Sequence, residues 1–147
     1  PPMRWRRGRR FWRIFGGSTI CAITFLYNSL ATMEALALFR AGNFAEAAER
    51  WEALAKTSAA GDMATHLTNA ASCKMELGLY RATVKQCDGT IAACGGHLRA
   101  YVLKGLALAS IGKQSKAAAA WRCGLAAATD ASDVAAVSEL QMLLAAD

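Results

Sequence analysis

Three observations predict an all-α chain: a row of helix–turn–helix units, closed by a capping helix and preceded by an N-terminal apolar helix. The two prolines are Pro1 and Pro2, so residues 3–147 are free of the strongest helix breaker. Ala is abundant, Val and Ile are sparse, and no stretch alternates apolar and polar residues over a strand's length. Gly42, Gly78 and Gly112, spaced 36 and 34 residues apart, each follow one helical apolar pattern and precede another. Glycine suits such a turn because it ends a helix in the left-handed conformation without a Cβ clash.

In chain order the first element is an arm, residues 1–13. Arg4, Arg6, Arg7, Arg9, Arg10 and Arg13 are all the charges before Glu34. The chain has 17 basic and 11 acidic residues, so removing these six leaves 11 of each, and the net charge of +6 belongs to the arm. The body sums to zero and, on net charge, is not expected to attract polyanions. Trp5 and Trp12 interleave with the arginines, a combination that can contact lipid headgroups, stack on RNA bases beside bound phosphates, or pack on a neighbouring protein subunit.

Residues 14–27 are the second element, an apolar helix. As a helix its 14 residues span about 21 Å, against the roughly 30 Å of a bilayer core. A short, tilted membrane anchor and burial in a partner both fit. Arg-rich, acid-free composition also matches an organellar presequence. A removed secretory signal fits less well, because cleavage after Ala31 would cut into the next helix, and Arg9-Arg10 makes an imperfect twin-arginine signal.

Residues 28–130 hold three related segments, "ALALFRAGNFAEAAERWEAL", "AASCKMELGLYRATVKQCDGTI" and "GLALASIGKQSKAAAAWRCGL". The third has Tyr101, Gly105, Leu108, Gly112, Ala117, Trp121 and Gly124 in a bulky–small–Gly–small–bulky order. The first matches it through Ala35, Leu38, Gly42, Phe44, Ala47 and Trp51, and the second through Ala71, Gly78, Tyr80, Thr83 and Cys87. On these residues the chain resembles the tetratricopeptide repeat family, whose unit is a helix–turn–helix of 34 residues. Thr83 and Cys87 replace a commoner Ala and aromatic, and Lys74 falls where an apolar residue is usual. In place of the family's closing proline, Gly61, then Gly95 and Gly96, and the stretch from Thr129 are expected to end the units.

The resemblance implies a concave protein-binding groove lined by the first helix of each unit. The lining would be Thr32, Met33, Leu36 and Arg40, then Thr65, Thr68, Asn69 and Ser72, then Arg99, Val102, Leu103 and Leu106. Some family members clamp a peptide carboxylate at fixed positions. Asn69 and Arg99 stand at two of these, but Thr32, Leu36 and Leu103 occupy places where polar groups are needed, which leaves half a clamp.

Residues 131–147 are expected to form the cap, with Ser132 as candidate N-cap and Val134, Val137, Leu140 and Leu144 as its apolar stripe. Ala135, Ala136, Met142 and Leu143 leave its other side weakly polar, so the helix could also serve as a docking surface. The five cysteines form no C-x-x-C and read as reduced, partly buried thiols. His66 and His97 lack ligand-like spacing, and neither metal nor cofactor is expected. Glu46, Glu49 and Glu52 beside Arg50 and Lys56 read as a solvated helix face, and no catalytic motif is present.

The expected function is non-catalytic: a scaffold or accessory subunit of a large organellar complex, making protein–protein contacts. The expected setting is the mitochondrial inner membrane, with a plastid thylakoid membrane as the alternative. Two other functions stay open: an organellar ribosome-associated protein with an RNA-contacting arm, and a membrane-anchored import or chaperone receptor.

Overall fold

The computed structural model describes residues 19–146, with side chains from Asn28 onward. Among the described residues there are seven helices: α1 (Thr19–Arg40), α2 (Phe44–Thr57), α3 (Ala60–Glu76), α4 (Tyr80–Ala93), α5 (Leu98–Ser110), α6 (Gln114–Asp130) and α7 (Val134–Ala145). Each helix packs on the next in sequence, and α3 also touches α5. Contacts confined to near neighbours make a solenoid.

The arm residues Arg4, Trp5, Arg6, Arg7, Arg9, Arg10, Trp12 and Arg13 lie outside the described residues, as do residues 14–18. From Thr19 the backbone is one uninterrupted helix of 22 residues, with no break between Tyr27 and Asn28. Among the described residues, no helix is long and apolar enough to cross a membrane.

The turns closing α1, α3 and α5 are copies of one another. Gly42, Gly78 and Gly112 have φ of +83°, +73° and +77°. In each turn the glycine N–H and the next residue's N–H bond back to two carbonyls of the last helical turn, as from Gly42 to Phe39 (3.1 Å) and from Asn43 to Leu38 (2.9 Å). This arrangement satisfies carbonyls that a helix end otherwise leaves open. A fourth copy joins α6 to α7, with Ser132 at φ +56° in the glycine's place.

Two sequence expectations are corrected at helix ends. Ser132 is not the cap of α7: it is the left-handed residue, and Asp133 is the cap, its carboxylate accepting from the Ala136 N–H at 3.0 Å. Gly61 does not end a unit. It lies inside α3, and the chain turns at Ser58, which is extended and whose hydroxyl donates to the Leu54 carbonyl at 2.6 Å. Gly95 and Gly96 do lie in the turn between α4 and α5.

The core has a centre at each end, each built on one tryptophan. Trp51 is buried with Ala35, Ala47, Leu54 and Cys73, and Trp121 with Val102, Leu108, Ala117 and Leu140. Trp121 lies against the backbone of α5 because Gly105 leaves room: a Cβ there would sit 1.9 Å from the indole nitrogen. The indole N–H then donates to the Val102 carbonyl at 3.3 Å. Gly124 does the same for Tyr101, whose Cβ would lie 2.7 Å from an added methyl.

The middle unit is built differently. Thr83, Cys87 and Thr90 fill the buried face of α4, and each threonine hydroxyl donates to the carbonyl four residues back. Lys74, at a usually apolar position, bridges three helices: its ammonium lies 2.6 Å from Glu52 of α2 and also bonds Gln86 of α4.

Candidate functional site

The predicted groove residues are carried by the odd-numbered helices α1, α3 and α5. On α1, Met33 and Leu36 are 50% and 39% exposed, large for apolar side chains, and Arg40 is exposed. Thr32 is half-buried and donates to the Asn28 carbonyl at 2.8 Å. On α3, Thr65 is exposed, while Asn69 and Ser72 are half-buried. Thr68, in contrast, is 1% exposed, with its hydroxyl 3.1 Å from His97 Nε2, so it positions the start of α5 and offers no surface to a ligand. Arg99 reaches from α5 to α3, its guanidinium 3.4 Å from the Ser72 hydroxyl.

A concavity that includes predicted α5 residues lies between α5 and α7, a cleft of about 600 Å³. Arg99, Val102, Leu103 and Leu106 supply its α5 wall, and Asp133, Ala135, Ala136 and Glu139 supply the facing one. Val102 is 8% exposed and forms floor, while Leu103 and Leu106 are half-buried and form the accessible apolar surface. The cleft is apolar with a charged rim, Arg99 facing two carboxylates. Neither the α1 residues nor Thr65, Thr68, Asn69 and Ser72 of α3 are part of it. Asp133 and Glu139 were not among the predicted lining, because their place depends on how α7 docks. The sequence signal available was the Asp133 cap position, which sets the phase of that helix.

The titratable groups with shifted pKa values owe the shifts mainly to burial. Burial, and then the neighbouring Arg99 charge, holds the His97 imidazole below its ordinary pKa. Burial also lowers His66, which stacks on Trp51 with ring centroids 5.4 Å apart; among the described residues its Nδ1 has no hydrogen-bond partner. Among the described residues, no group of His, Cys, Asp and Glu could hold a metal ion. Burial pushes the Cys73 thiol up to about 11 and Cys87 to about 12, so neither is a ready nucleophile at neutral pH. Glu46 and Glu52 are taken up by cations, with Arg50 3.9 Å from Glu46 and Lys74 beside Glu52.

No protein-family model matches the chain, and no curated protein matches it in sequence. Solved structures do match in three dimensions. The TPR2B domain of yeast Sti1 in complex with pHsp70 matches with a TM-score of 0.72 at 16% identity, covering 81% of this chain and 94% of that one. The TPR2AB domain of yeast Sti1 in complex with pHSP90 gives 0.72 at 16% identity over 80% of this chain, which spans only 45% of that longer structure. The type III secretion translocator chaperone SycD of Yersinia enterocolitica, in an alternative dimer, gives 0.71 at 12% identity, covering 81% of this chain and 89% of that one. At these identities the likeness is one of fold: the described residues form a tetratricopeptide-like helix–turn–helix solenoid.

Proposed function

We propose that this chain is a non-catalytic protein-binding module, a scaffold or adaptor that holds a segment of another protein in the cleft between α5 and α7. The observation that carries the proposal is the pairing of accessible Leu103 and Leu106 with Arg99, Asp133 and Glu139 around one concavity. Apolar side chains supply attraction in such a cleft, and rim charges fix orientation. Solved neighbours of the same fold were captured with pHsp70 and pHSP90, which supports a peptide as the class of ligand. A chaperone tail is not the favoured ligand here, because Thr32, Leu36 and Leu103 carry no charge for its carboxylate.

The finer proposal is an accessory subunit of a large organellar complex, with residues 14–27 buried in lipid or in a neighbouring subunit. The Arg-rich, acid-free composition of residues 4–13 supports it. Cross-linking mass spectrometry on native extracts tests the cleft: one partner should cross-link to α5 and α7 in the wild type and be lost in Leu103→Glu. Unchanged cross-links would reject the cleft as the binding site. Carbonate extraction tests membrane anchoring separately, since release into the soluble fraction rejects it.

A further inference from the structure

A second concavity, of about 650 Å³, lies between α4, α5 and α6. It uses a different face of α5: Tyr101, Lys104 and Leu108 line it, at positions i, i+3 and i+7, whereas Arg99, Val102, Leu103 and Leu106 line the cleft toward α7. Its floor is apolar, from Val84, Ile91 and Leu108, and its rim carries Lys104, Lys113 and Lys116.

The one carboxylate in the lining is Asp88, which pairs with Lys104 at 2.7 Å. Among the described residues, Lys113 and Lys116 have no ion-pair partner, so two cations beside an apolar floor remain uncompensated. Both stand at the start of α6, whose first turn contains no acidic residue to offset the helix dipole. The body of the chain sums to zero charge, but not evenly: this cleft carries three lysines against one aspartate, and the α5–α7 cleft one arginine against two carboxylates.

We propose that the α4–α5–α6 cleft is a second docking site, which takes an acidic segment of a partner protein with apolar side chains spaced among its carboxylates. Leucine-like side chains would enter between Ile91 and Leu108, and carboxylates would meet Lys113 and Lys116. Opposite charge on the two clefts lets one molecule hold two unlike segments at once.

The test uses the full chain and three fluorescein-labelled 12-residue peptides, built from Glu and Leu, Glu and Ser, and Lys and Leu, read by fluorescence anisotropy. The Glu–Leu peptide should bind, the Glu–Ser peptide more weakly, and the Lys–Leu peptide not at this site. Lys113→Glu/Lys116→Glu, exposed positions whose retained fold is checked by circular dichroism, should weaken Glu–Leu binding about tenfold or more. Rising salt should weaken it further in the wild type. Leu103→Glu should leave it unchanged, which separates this site from the α5–α7 cleft. Exposed Cys123, which lines the cleft, should be protected from maleimide by the bound Glu–Leu peptide. The proposal is overturned if the Glu–Leu peptide does not bind, if the double charge reversal binds it as the wild type does, or if phosphatidylserine vesicles occupy the lysines and the peptide does not.

Discussion

Gly105 and Gly89 both lie within helices, yet their replacement by alanine should have opposite effects. At Gly105 an added methyl meets the rigid Trp121 indole at 1.9 Å and must push it off α5, breaking its bond to Val102. Gly105→Ala should therefore lower stability by about 1–3 kcal/mol, toward the upper end because an aromatic ring cannot flex aside. Gly89 is exposed, with nothing within 4 Å of its would-be methyl. Gly89→Ala should raise stability by about 0.5–1 kcal/mol through helix propensity alone. Urea denaturation of the two variants checks the pair; a stabilising Gly105→Ala would mean that Trp121 does not pack as described. Gly105 was legible as a small position from the sequence, and Trp121 as a bulky one. The role of Lys74 was not, because its partners Glu52 and Gln86 lie 22 and 12 residues away on other helices.

Among the elements, α7 depends most on its first residues. Ser132 holds a left-handed conformation that costs a non-glycine residue about 1 kcal/mol. Ser132→Gly should recover most of that, whereas Asp133→Ala, by removing the carboxylate that accepts the Ala136 N–H, should cost about 1 kcal/mol. Thermal melts should thus move in opposite directions for adjacent residues. A destabilised Ser132→Gly would show that the turn owes nothing to the glycine-like geometry. The helices themselves were legible because apolar spacing repeats with the glycines. Their exact ends were less so: Ser132, Asp133 and Gly61 are all residue types that serve equally in caps, turns and first turns, and only the hydrogen bonds distinguish these roles. The α5 wall of the α5–α7 cleft was readable from position within the repeat. Its α7 wall was not, since it depends on the angle at which the last helix docks.

For the whole molecule, two tryptophan-centred cores are joined through α4, whose buried face holds threonines and a cysteine where the ends hold tryptophan and leucine. Burial keeps His66 and His97 below the ordinary 6.5, so the unfolded chain binds protons that the folded chain refuses. Stability from this source is present above about 6.5 and is lost as the pH falls through that value toward the lowered folded ones. Melting temperature should accordingly drop between pH 7.5 and pH 5.5, and His66→Phe/His97→Asn should flatten the dependence; an unchanged slope in that variant would assign the pH response to other groups.

The stack of Trp51 on His66 also makes the first core an optical gauge. An indole loses emission to a protonated imidazole in contact with it, whereas Trp121 bonds the Val102 carbonyl and, among the described residues, stacks on no imidazole. With Trp5 and Trp12 replaced by phenylalanine, the two remaining indoles become separate reporters for the two ends of the solenoid. Acid should dim one and leave the other bright, and denaturant should show whether the two ends come apart together or in turn.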